Sequence, residues 1–506
     1  MNYAARRRPR RAAVSRLLAA VVALCAVTFG AGAQAPGELT AGAPTAGELA
    51  ASERLAAVKS DSTRLLAFLR AMPKGGDLHN HLSGATRPES WARWAASDGL
   101  CVVVATMTLV RPPCGRPGLG PATKLAEDSV LLARAVDAWS MHDWHPASES
   151  GADHFFATFD KTSAVGNAHL GEMLAEVAAR AAAEHVSYLE LMVNADDGGV
   201  PRLANRVAWT SDLAALRGQL EHAGLRDALH DASSNLDRAE RRERELLRCG
   251  TAAADAGCAV TVRYIYQVIR SRSPQHVFAQ ILAGFELPAV DHRYVSFNLV
   301  APEHGAVAVR DFDLHMHMIA FLRSSFPAVP ITLHAGELSD QVAARDVMRS
   351  HVRESVEIAH ASRIGHGVDV LQEDGADSLL REMAARHVLV EVALTSNDDI
   401  LGVRGTAHPL HAFLSHGVPV ALVSDDEGVA QSDMTHEYSR AVVDQELDYR
   451  TLKSLARNSL AYSFAADSTK ARLESELDGA FARFESELTT TARPPHSTSR
   501  STNRQR

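Results

Sequence analysis

The chain alternates short apolar runs with amphipathic segments eight times, and this alternation is the feature that most limits its fold. Nearly continuous apolar strands separated by amphipathic helices are typical of a parallel sheet that is covered by helices. Eight such repeats favour a closed α/β structure, the (β/α)8 TIM barrel, over an open sheet. The predicted strands span residues 76–81, 186–193, 259–267, 294–300, 331–334, 363–366, 388–394 and 419–424.

The segments between the strands have the apolar spacing of helices or exceed what a plain barrel needs. Helices are predicted at 51–71, 170–184, 275–282, 313–325, 343–360 and 376–387. Helical insertions are predicted at about 85–166 after the first strand and 195–258 after the second. Segments that follow a strand lie over the mouth of a barrel, so the first insertion is expected to act as a lid.

The two ends of the chain differ in composition from the predicted barrel domain, 51–487. Residues 1–33 combine six arginines, an apolar run and a small-residue cleavage site, which predicts a signal peptide and an exported, periplasmic or secreted product. Residues 34–50 are predicted to be a flexible linker and residues 488–506 a disordered tail.

Loss of the signal peptide makes the chain more acidic and leaves four cysteines. The formal charge moves from −9 to −15, because six arginines and no acids are removed. An acidic protein of this kind is not expected to bind nucleic acid, and no membrane association is expected after signal removal. The cysteines allow two disulfides, Cys101 with Cys114 and Cys249 with Cys258.

Two histidines lie at the end of the first predicted strand, in the stretch DLHNHLSG (77–84). Side chains alternate faces along a strand, so His79 and His81 project from the same side. Two imidazoles held in this way can bind one metal ion if other strand ends add ligands. The pair His315 and His317 lies in a segment with helical spacing, where side chains two positions apart diverge by about 200° and cannot share an ion.

The later predicted strands also end in polar residues, in the stretches HAGE (334–337), GHG (365–367), TSND (395–398) and SDDEG (424–428). Barrel enzymes carry their chemistry at the carboxyl ends of the strands. We therefore expect a single metal ion to be bound by His79, His81, His334 and Asp425. Three imidazoles and a carboxylate suit one Zn²⁺ per chain, with a water molecule in the remaining position.

Three further residues are expected beside these ligands. A zinc ion lowers the pKa of a bound water towards neutrality, and His366, between two glycines, could orient or deprotonate that water. Glu337, three residues after His334, could reach a ring nitrogen of a substrate. Asp426 follows Asp425 on an extended segment, so the two carboxylates face different ways.

These motifs, with FFATFDKTSAVG (155–166), YLELMVN (188–194) and HPLHAFLSHGVPVALVSDDEG (408–428), resemble the adenosine deaminase family of metal-dependent amidohydrolases over residues 72–462. The resemblance implies zinc ligation by the four residues above, protonation of purine N1 by Glu337, action of His366 on the water and a hydrogen bond from Asp426 to N7. It implies a small-molecule purine nucleoside as partner, with adenosine and 2′-deoxyadenosine deaminated at C6 to inosine or its deoxy form and ammonia.

The sequence departs from the family pattern where the substrate is expected. The resemblance implies substrate contacts at Ser83, Gly84 and Ala301, but family members commonly carry aspartate at the position of Ser83 and glycine at that of Ala301. One alternative is therefore a deaminase of adenine or of a modified adenosine. A secreted, non-catalytic barrel protein is a second alternative, and it predicts loss of a ligand or of the acid, whereas all seven positions are filled.

Overall fold

A computed structural model describes residues 43–491, and in it the predicted (β/α)8 barrel is confirmed. The strands are β1 (Gly75–His81), β2 (Cys101–Val103), β3 (Thr108–Val110), β4 (Leu119–Pro121), β5 (Val186–Met192), β6 (Thr261–Ile269), β7 (Tyr294–Val300), β8 (Thr332–Ala335), β9 (Arg363–His366), β10 (Leu389–Val392) and β11 (Val420–Leu422). The barrel consists of two parallel four-stranded halves, in the orders β1-β5-β6-β7 and β11-β10-β9-β8.

Two seams close these halves into a barrel. At the first seam, the backbone N–H of Asp425 donates to the carbonyl of His79 at 2.9 Å, and the N–H of His81 donates to the carbonyl of Asp425 at 3.1 Å. At the second seam, the N–H of His334 on β8 donates to Oδ1 of Asn298 on β7 at 2.7 Å. Both seams therefore run through or beside predicted metal ligands at the carboxyl-terminal rim.

Helices surround the barrel and begin with acidic or hydroxyl caps at several N-termini. Asp61, Asp128, Ser150, Asp212 and Asp448 each accept a backbone N–H of the first turn. The α-helices are α1 (Ala46–Val58), α2 (Ser62–Ala71), α3 (Leu82–Ala85), α4 (Pro88–Ser97), α5 (Lys124–Glu127), α6 (Ser129–Trp139), α7 (Gly151–Thr162), α8 (Leu170–Ala183), α9 (Gly199–Ala204), α10 (Leu213–His222), α11 (Leu225–Leu246), α12 (Pro274–Val290), α13 (Ala306–Arg310), α14 (Phe312–Arg323), α15 (His351–Glu357), α16 (Ala376–Ala385), α17 (Leu394–Leu401), α18 (Leu410–Ser415), α19 (Met434–Val443), α20 (Tyr449–Ala461) and α21 (Asp467–Thr491).

The first insertion contains the predicted helices and, in addition, a small sheet that was not predicted. The strands β2, β3 and β4 pair antiparallel in the order β3-β2-β4. Valine and threonine, which are β-branched and favour extended backbone, make up most of β2 and β3 (CVV and TLV). The disulfides Cys101–Cys114 and Cys249–Cys258 are both formed, one in each insertion.

The structure corrects four predicted boundaries. The predicted helix 51–71 is two helices, because Asp61 caps a new helix at Ser62. Helix α1 already begins at Ala46, where Thr45 and Glu48 form a capping box, so residues 46–50 are not linker. Helix α21 continues through 488–491, so the tail does not begin at 488. In the predicted helix 343–360 only His351–Glu357 is α-helical, after a short 3-10 turn.

The remaining predictions for the ends lie outside the described residues: the signal peptide 1–33, linker residues 34–42 and tail residues 492–506. Across 43–491, every helix is too short or too polar to cross a bilayer. The helical position of His315 and His317 is confirmed, since both lie on α14.

Candidate active site

The four predicted metal ligands converge at the rim of the barrel. His79 and His81 come from the end of β1, His334 from β8, and Asp425 from the turn after β11. The Nε2 atom of His334 lies 3.0 Å from Nε2 of His79 and 3.2 Å from Nε2 of His81. Oδ1 of Asp425 lies 3.6 Å from Nε2 of His79 and 3.5 Å from Nε2 of His81. All four side chains are almost completely buried.

These separations fit a divalent cation. Ligand atoms arranged tetrahedrally at about 2.0–2.1 Å from a zinc ion lie about 3.3–3.4 Å from one another. Oδ1 of Asp425 is buried and makes no hydrogen bond to any residue in 43–491, although a buried carboxylate oxygen is costly without a partner. Two overlapping groups of ligand atoms lie within 4.8 Å of one another, one from His79, His334, His366 and Asp425 and one from His81, Asp425 and Asp426. A metal ion at their common point could supply the partner that Oδ1 of Asp425 lacks.

Each of the three histidines has a hydrogen-bond acceptor at its other nitrogen. Nδ1 of His79 lies 2.7 Å from Oε2 of Glu391, Nδ1 of His81 lies 3.1 Å from Oε1 of Gln267, and Nδ1 of His334 lies 2.9 Å from Oδ1 of Asn298. An acceptor at Nδ1 places the proton on Nδ1. The lone pair of each Nε2 is then free and faces the common point, as metal ligation requires.

Burial decides the charge of two of these rings. Burial lowers the pKa of His81 to about 4, and burial with the neighbouring histidines lowers that of His334 well below its usual value. For His79 burial also lowers the pKa, but the hydrogen bond and charge of Glu391 outweigh it and raise the pKa overall. His81 and His334 are therefore neutral at physiological pH, which is the form that binds metals.

The carboxyl group of Glu337 lies beside the ligands, in surroundings that favour its protonated form. Burial, then the charges of Asp425 and Glu303, raise its pKa well above the usual range. Its backbone N–H donates to Glu303, which also accepts the N–H of Gly336 and hydrogen-bonds to His351. Glu303 therefore fixes the turn after β8, and Glu337 is a neutral acid able to donate a proton into the cavity.

His366, at the end of β9, faces the same point. Its ring does not share the hydrogen-bond pattern of the other three, in which Nδ1 faces an acceptor. Its Nε2 lies 3.8 Å from Oε1 of Glu337 and has no hydrogen-bond partner within the described part of the chain. Burial lowers its pKa to about 4, so the ring is neutral. His366 and Asp425 both have a left-handed backbone, with φ of 70° and 59°, a conformation that costs a non-glycine residue about 1–2 kcal/mol.

Asp426 and Gly84 form one contact. A Cβ atom built on Gly84 would lie 1.5 Å from Oδ1 of Asp426, so only glycine leaves room for that carboxyl group. The carbonyl of Gly84 also accepts the N–H groups of Gly428 and Val429. Burial and the charge of Asp425 raise the pKa of Asp426 well above its usual value. The structure thus places Gly84 behind Asp426, where it packs against the carboxyl group.

A cavity of about 580 Å³ opens above these groups. Ser83 and Ala301, both predicted substrate contacts, lie in its wall, and Ala301 has a φ of 81°. That left-handed backbone explains why glycine would suit this position. The aromatic side chains in the wall come from α7 of the first insertion, which therefore covers the mouth of the barrel; they are Phe155, Phe156 and Phe159.

Sequence reasoning did not find the partners of the histidines. Gln267, Asn298 and Glu391 lie inside β6, β7 and β10 rather than at strand ends. The available signal was a polar residue inside an otherwise apolar strand, as in YVSFNLV and LVEV. Such a residue is costly to bury unless it is hydrogen-bonded, so its presence predicts a partner on the barrel interior.

Together the closed barrel and the buried histidine and aspartate cluster are the features of a class of protein, the barrel hydrolases whose rim can hold a metal ion. The profile of the adenosine deaminase family matches residues 143–480, well over half of the chain. The chain belongs to the adenosine deaminase family. The matched range begins after β1 and after most of the first insertion.

Individual relatives are similar over parts of the chain. An aminodeoxyfutalosine deaminase of Streptomyces coelicolor is 35% identical over 185 residues, covering 36% of this chain and 43% of that relative. An adenosine deaminase of Edwardsiella ictaluri is 29% identical over 295 residues, covering 56% of this chain and 80% of that protein. The chain thus spans less than half of the length of the Streptomyces relative.

Solved structures share the fold. The Arabidopsis protein ADAL in complex with IMP has a TM-score of 0.56 at 18% identity, covering 82% of this chain and 99% of that one. An amidohydrolase of Burkholderia ambifaria with bound Zn has a TM-score of 0.52 at 17% identity, covering 84% and 94%. At these identities the likeness establishes the barrel.

Proposed function

We propose that this protein is a zinc-dependent hydrolase that deaminates adenosine, and 2′-deoxyadenosine, at purine C6 to give the inosine nucleoside and ammonia. The observation that carries the proposal is the buried carboxyl group of Glu337, whose pKa is raised, beside the converging side chains of His79, His81, His334 and Asp425. Deamination at C6 needs both an activated water and a proton for the ring nitrogen, and this cluster can supply both.

His79, His81, His334 and Asp425 would hold the zinc ion. When bound, such an ion makes water a nucleophile near neutral pH. Imidazole with carboxylate is a donor set typical of zinc, and the acceptors at Nδ1 already leave Nε2 of each ring free to bind it.

The chain's own residues would divide the proton transfers. Glu337 retains a proton that it can donate to N1, which makes C6 more electrophilic. The pKa of Asp426 is raised as well, so its carboxyl group can donate to an acceptor nitrogen such as N7. The oxygen of a water molecule bonds to C6 and the bond from C6 to the amino nitrogen breaks. Of the two protons that the water loses, one leaves on the amino nitrogen as ammonia and the other returns Glu337 to its acid form. The burial of both acids excludes bulk water, which strengthens these hydrogen bonds.

A second candidate is a deaminase of a modified adenosine. Ser83 places a hydroxyl in the cavity wall where the family commonly has a carboxylate, so recognition of the ribose differs. The similarity to an aminodeoxyfutalosine deaminase supports a test of nucleosides with a modified 5′ position. Adenine, which has no sugar, is the control for this candidate.

The experiment is a substrate comparison with purified protein. We expect loss of nucleoside absorbance and release of ammonia with adenosine and 2′-deoxyadenosine, abolition by a chelator, and recovery on addition of Zn²⁺. The Glu337→Gln variant should bind zinc normally but lose activity by about 10²–10⁴-fold. A folded, zinc-loaded protein that consumes none of the nucleosides, adenine or AMP would refute the assignment.

We also propose that the mature protein is exported. The arginine-rich, apolar N-terminus supports this, as do the two disulfides, which persist in oxidising compartments. Cell fractionation and the N-terminal sequence of the mature protein test it. Recovery of the uncleaved chain in the cytoplasm would contradict the proposal.

A further inference from the structure

Four histidine rings meet at the rim of the barrel, and at one of them the group facing Nδ1 is a hydrogen-bond donor instead of an acceptor. The three rings described above face acceptors. Nδ1 of His366 instead lies 2.9 Å from the side-chain nitrogen Nδ2 of Asn397. An amide NH2 group can only donate, so Nδ1 of His366 must accept.

The orientation of this amide is determined by a second histidine. The backbone N–H of Leu410, an obligatory donor, lies 3.2 Å from Nδ1 of His408. Neutral His408 therefore carries its proton on Nε2, which lies 3.1 Å from Oδ1 of Asn397. Burial lowers the pKa of His408 to about 3, so its ring is neutral. With Oδ1 accepting from His408, only the NH2 group of Asn397 can face His366.

We propose that Asn397 and His408 are positioning residues that fix the proton of His366 on Nε2. The side chains of His366, Asn397 and His408 are all buried. The N–H of Leu410 donates to His408, His408 donates to Asn397, and Asn397 donates to His366. Nε2 of His366 is then a donor, and it faces the cluster without a partner among residues 43–491.

Two consequences follow for the site. An Nε2 that carries a proton has no lone pair for a metal, so His366 is not a ligand although its ring lies within reach of the cluster. Neutral His366 also cannot take a proton at Nε2. It instead donates a hydrogen bond to the oxygen that attacks the substrate, which orients that oxygen. The proton that the water loses passes to the nearby carboxylate of Glu337, which has given its own proton to the ring nitrogen. This second consequence rests on the proposed deaminase function, and the first does not.

The test reads the tautomer directly, without substrate. In full-length protein labelled with ¹⁵N-histidine, the ¹⁵N shifts of the ring distinguish a protonated from an unprotonated nitrogen, and loss of signals in His366→Gln assigns them. We expect a proton on Nε2 of His366 in the unaltered protein. In Asn397→Asp, a carboxylate faces Nδ1, so the proton should move to Nδ1 and kcat should fall by about a hundredfold or more, with KM little changed.

Variants of His408 provide an independent arm if Asn397→Asp does not fold. His408→Leu removes the donor that orients the amide and should give a mixture of tautomers, whereas His408→Gln retains an N–H donor and should restore the Nε2 form. The matched control is His411→Leu, three positions further along on α18. Within residues 43–491 the His411 ring hydrogen-bonds to the carbonyl of Gln445 and not to Asn397, so this variant should leave the tautomer and kcat unchanged.

Metal binding gives the last comparison. We expect His366→Gln to retain the Zn²⁺ affinity of the unaltered protein, while His81→Gln loses most of it. A proton on Nδ1 of His366 in the unaltered protein, an unmoved proton in both Asn397→Asp and His408→Leu, or loss of zinc from His366→Gln would each overturn the proposal. Failure of the deaminase assignment alone would leave the tautomer and the zinc affinity as stated.

Discussion

Replacement of Gln267 tests whether the acceptors at Nδ1 control metal affinity. Gln267 accepts the Nδ1–H of His81 at 3.1 Å from β6, and both side chains are largely out of solvent. Loss of a partner of this kind lowers metal affinity by about 10–100-fold, or about 1.4–2.7 kcal/mol. Gln267 lies in the cavity wall, so water can partly replace the amide in Gln267→Leu. We therefore expect Gln267→Leu to lower the metal affinity by about tenfold, the lower end of this range.

The opposite change should have the opposite effect. Gln267→Glu places a carboxylate at the same nitrogen, and a charge-assisted hydrogen bond is about twice as strong as a neutral one. We expect zinc affinity to rise by about 3–10-fold, because the imidazole becomes more basic. Zinc titration of chelator-stripped protein against a competing indicator measures both variants, with the exposed Gln341→Leu as control. Affinities within twofold of the unaltered protein in both variants, with the fold intact, would refute the reasoning.

Four further predictions concern other parts of the barrel. Glu391→Gln should destabilise the protein by about 3 kcal/mol, because Glu391 pairs with the buried guanidinium of Arg363 at 2.6 Å; an unchanged urea midpoint would contradict this. Ala301→Gly should stabilise it by about 0.5–1 kcal/mol by relieving a φ of 81°, and a lower midpoint would show that the turn is not strained. Glu337 acts as an acid only while protonated, so kcat/KM should fall as the pH rises through its raised pKa. If the residual activity of Glu337→Gln falls over the same alkaline range, that fall is due to the titration of another group. Removal of the metal should lower the free energy of unfolding by about 2.7 kcal/mol relative to zinc at 100 times its Kd, and equal melting temperatures with and without zinc would contradict it.

The strands of the barrel were predictable because their apolar runs must be buried on both faces. The bounds of β7 and β9 match their predicted ranges, and β1 differs by one residue at its start. The insertions were less predictable, since a β-strand of three residues such as Cys101–Val103 has too few positions to show a period. Helix α1 began earlier than predicted because its capping box precedes the apolar spacing.

The candidate site was predictable where it depended on position along strands. The convergence of His79, His81, His334 and Asp425 follows from the rule that the carboxyl ends of barrel strands share one rim. The hydrogen bonds that determine each ring's role were not predictable. Asn397 and His408 lie 31 and 42 positions after His366, and their effect depends on which nitrogen faces which atom. That information lies in side-chain orientation, which spacing along the sequence does not contain.

Asp425 contributes both to the closure of the barrel, through its backbone, and to the candidate metal site, through its side chain. Its backbone makes both hydrogen bonds of the seam between β11 and β1. Its side chain lies 3.6 Å and 3.5 Å from Nε2 of His79 and His81 on one half and within 4.8 Å of a ring nitrogen of His334 on the other. The left-handed φ of 59° allows Asp425 both to pair with β1 through its backbone and to face the histidines with its side chain, because it turns the chain at the end of β11 and directs the carboxylate inward. That conformation costs about 1–2 kcal/mol and leaves Oδ1 without a hydrogen bond within 43–491. A cation that bridges His79 and His81 on one half to His334 and Asp425 on the other would offset both costs, so metal binding and closure of the barrel should stabilise each other.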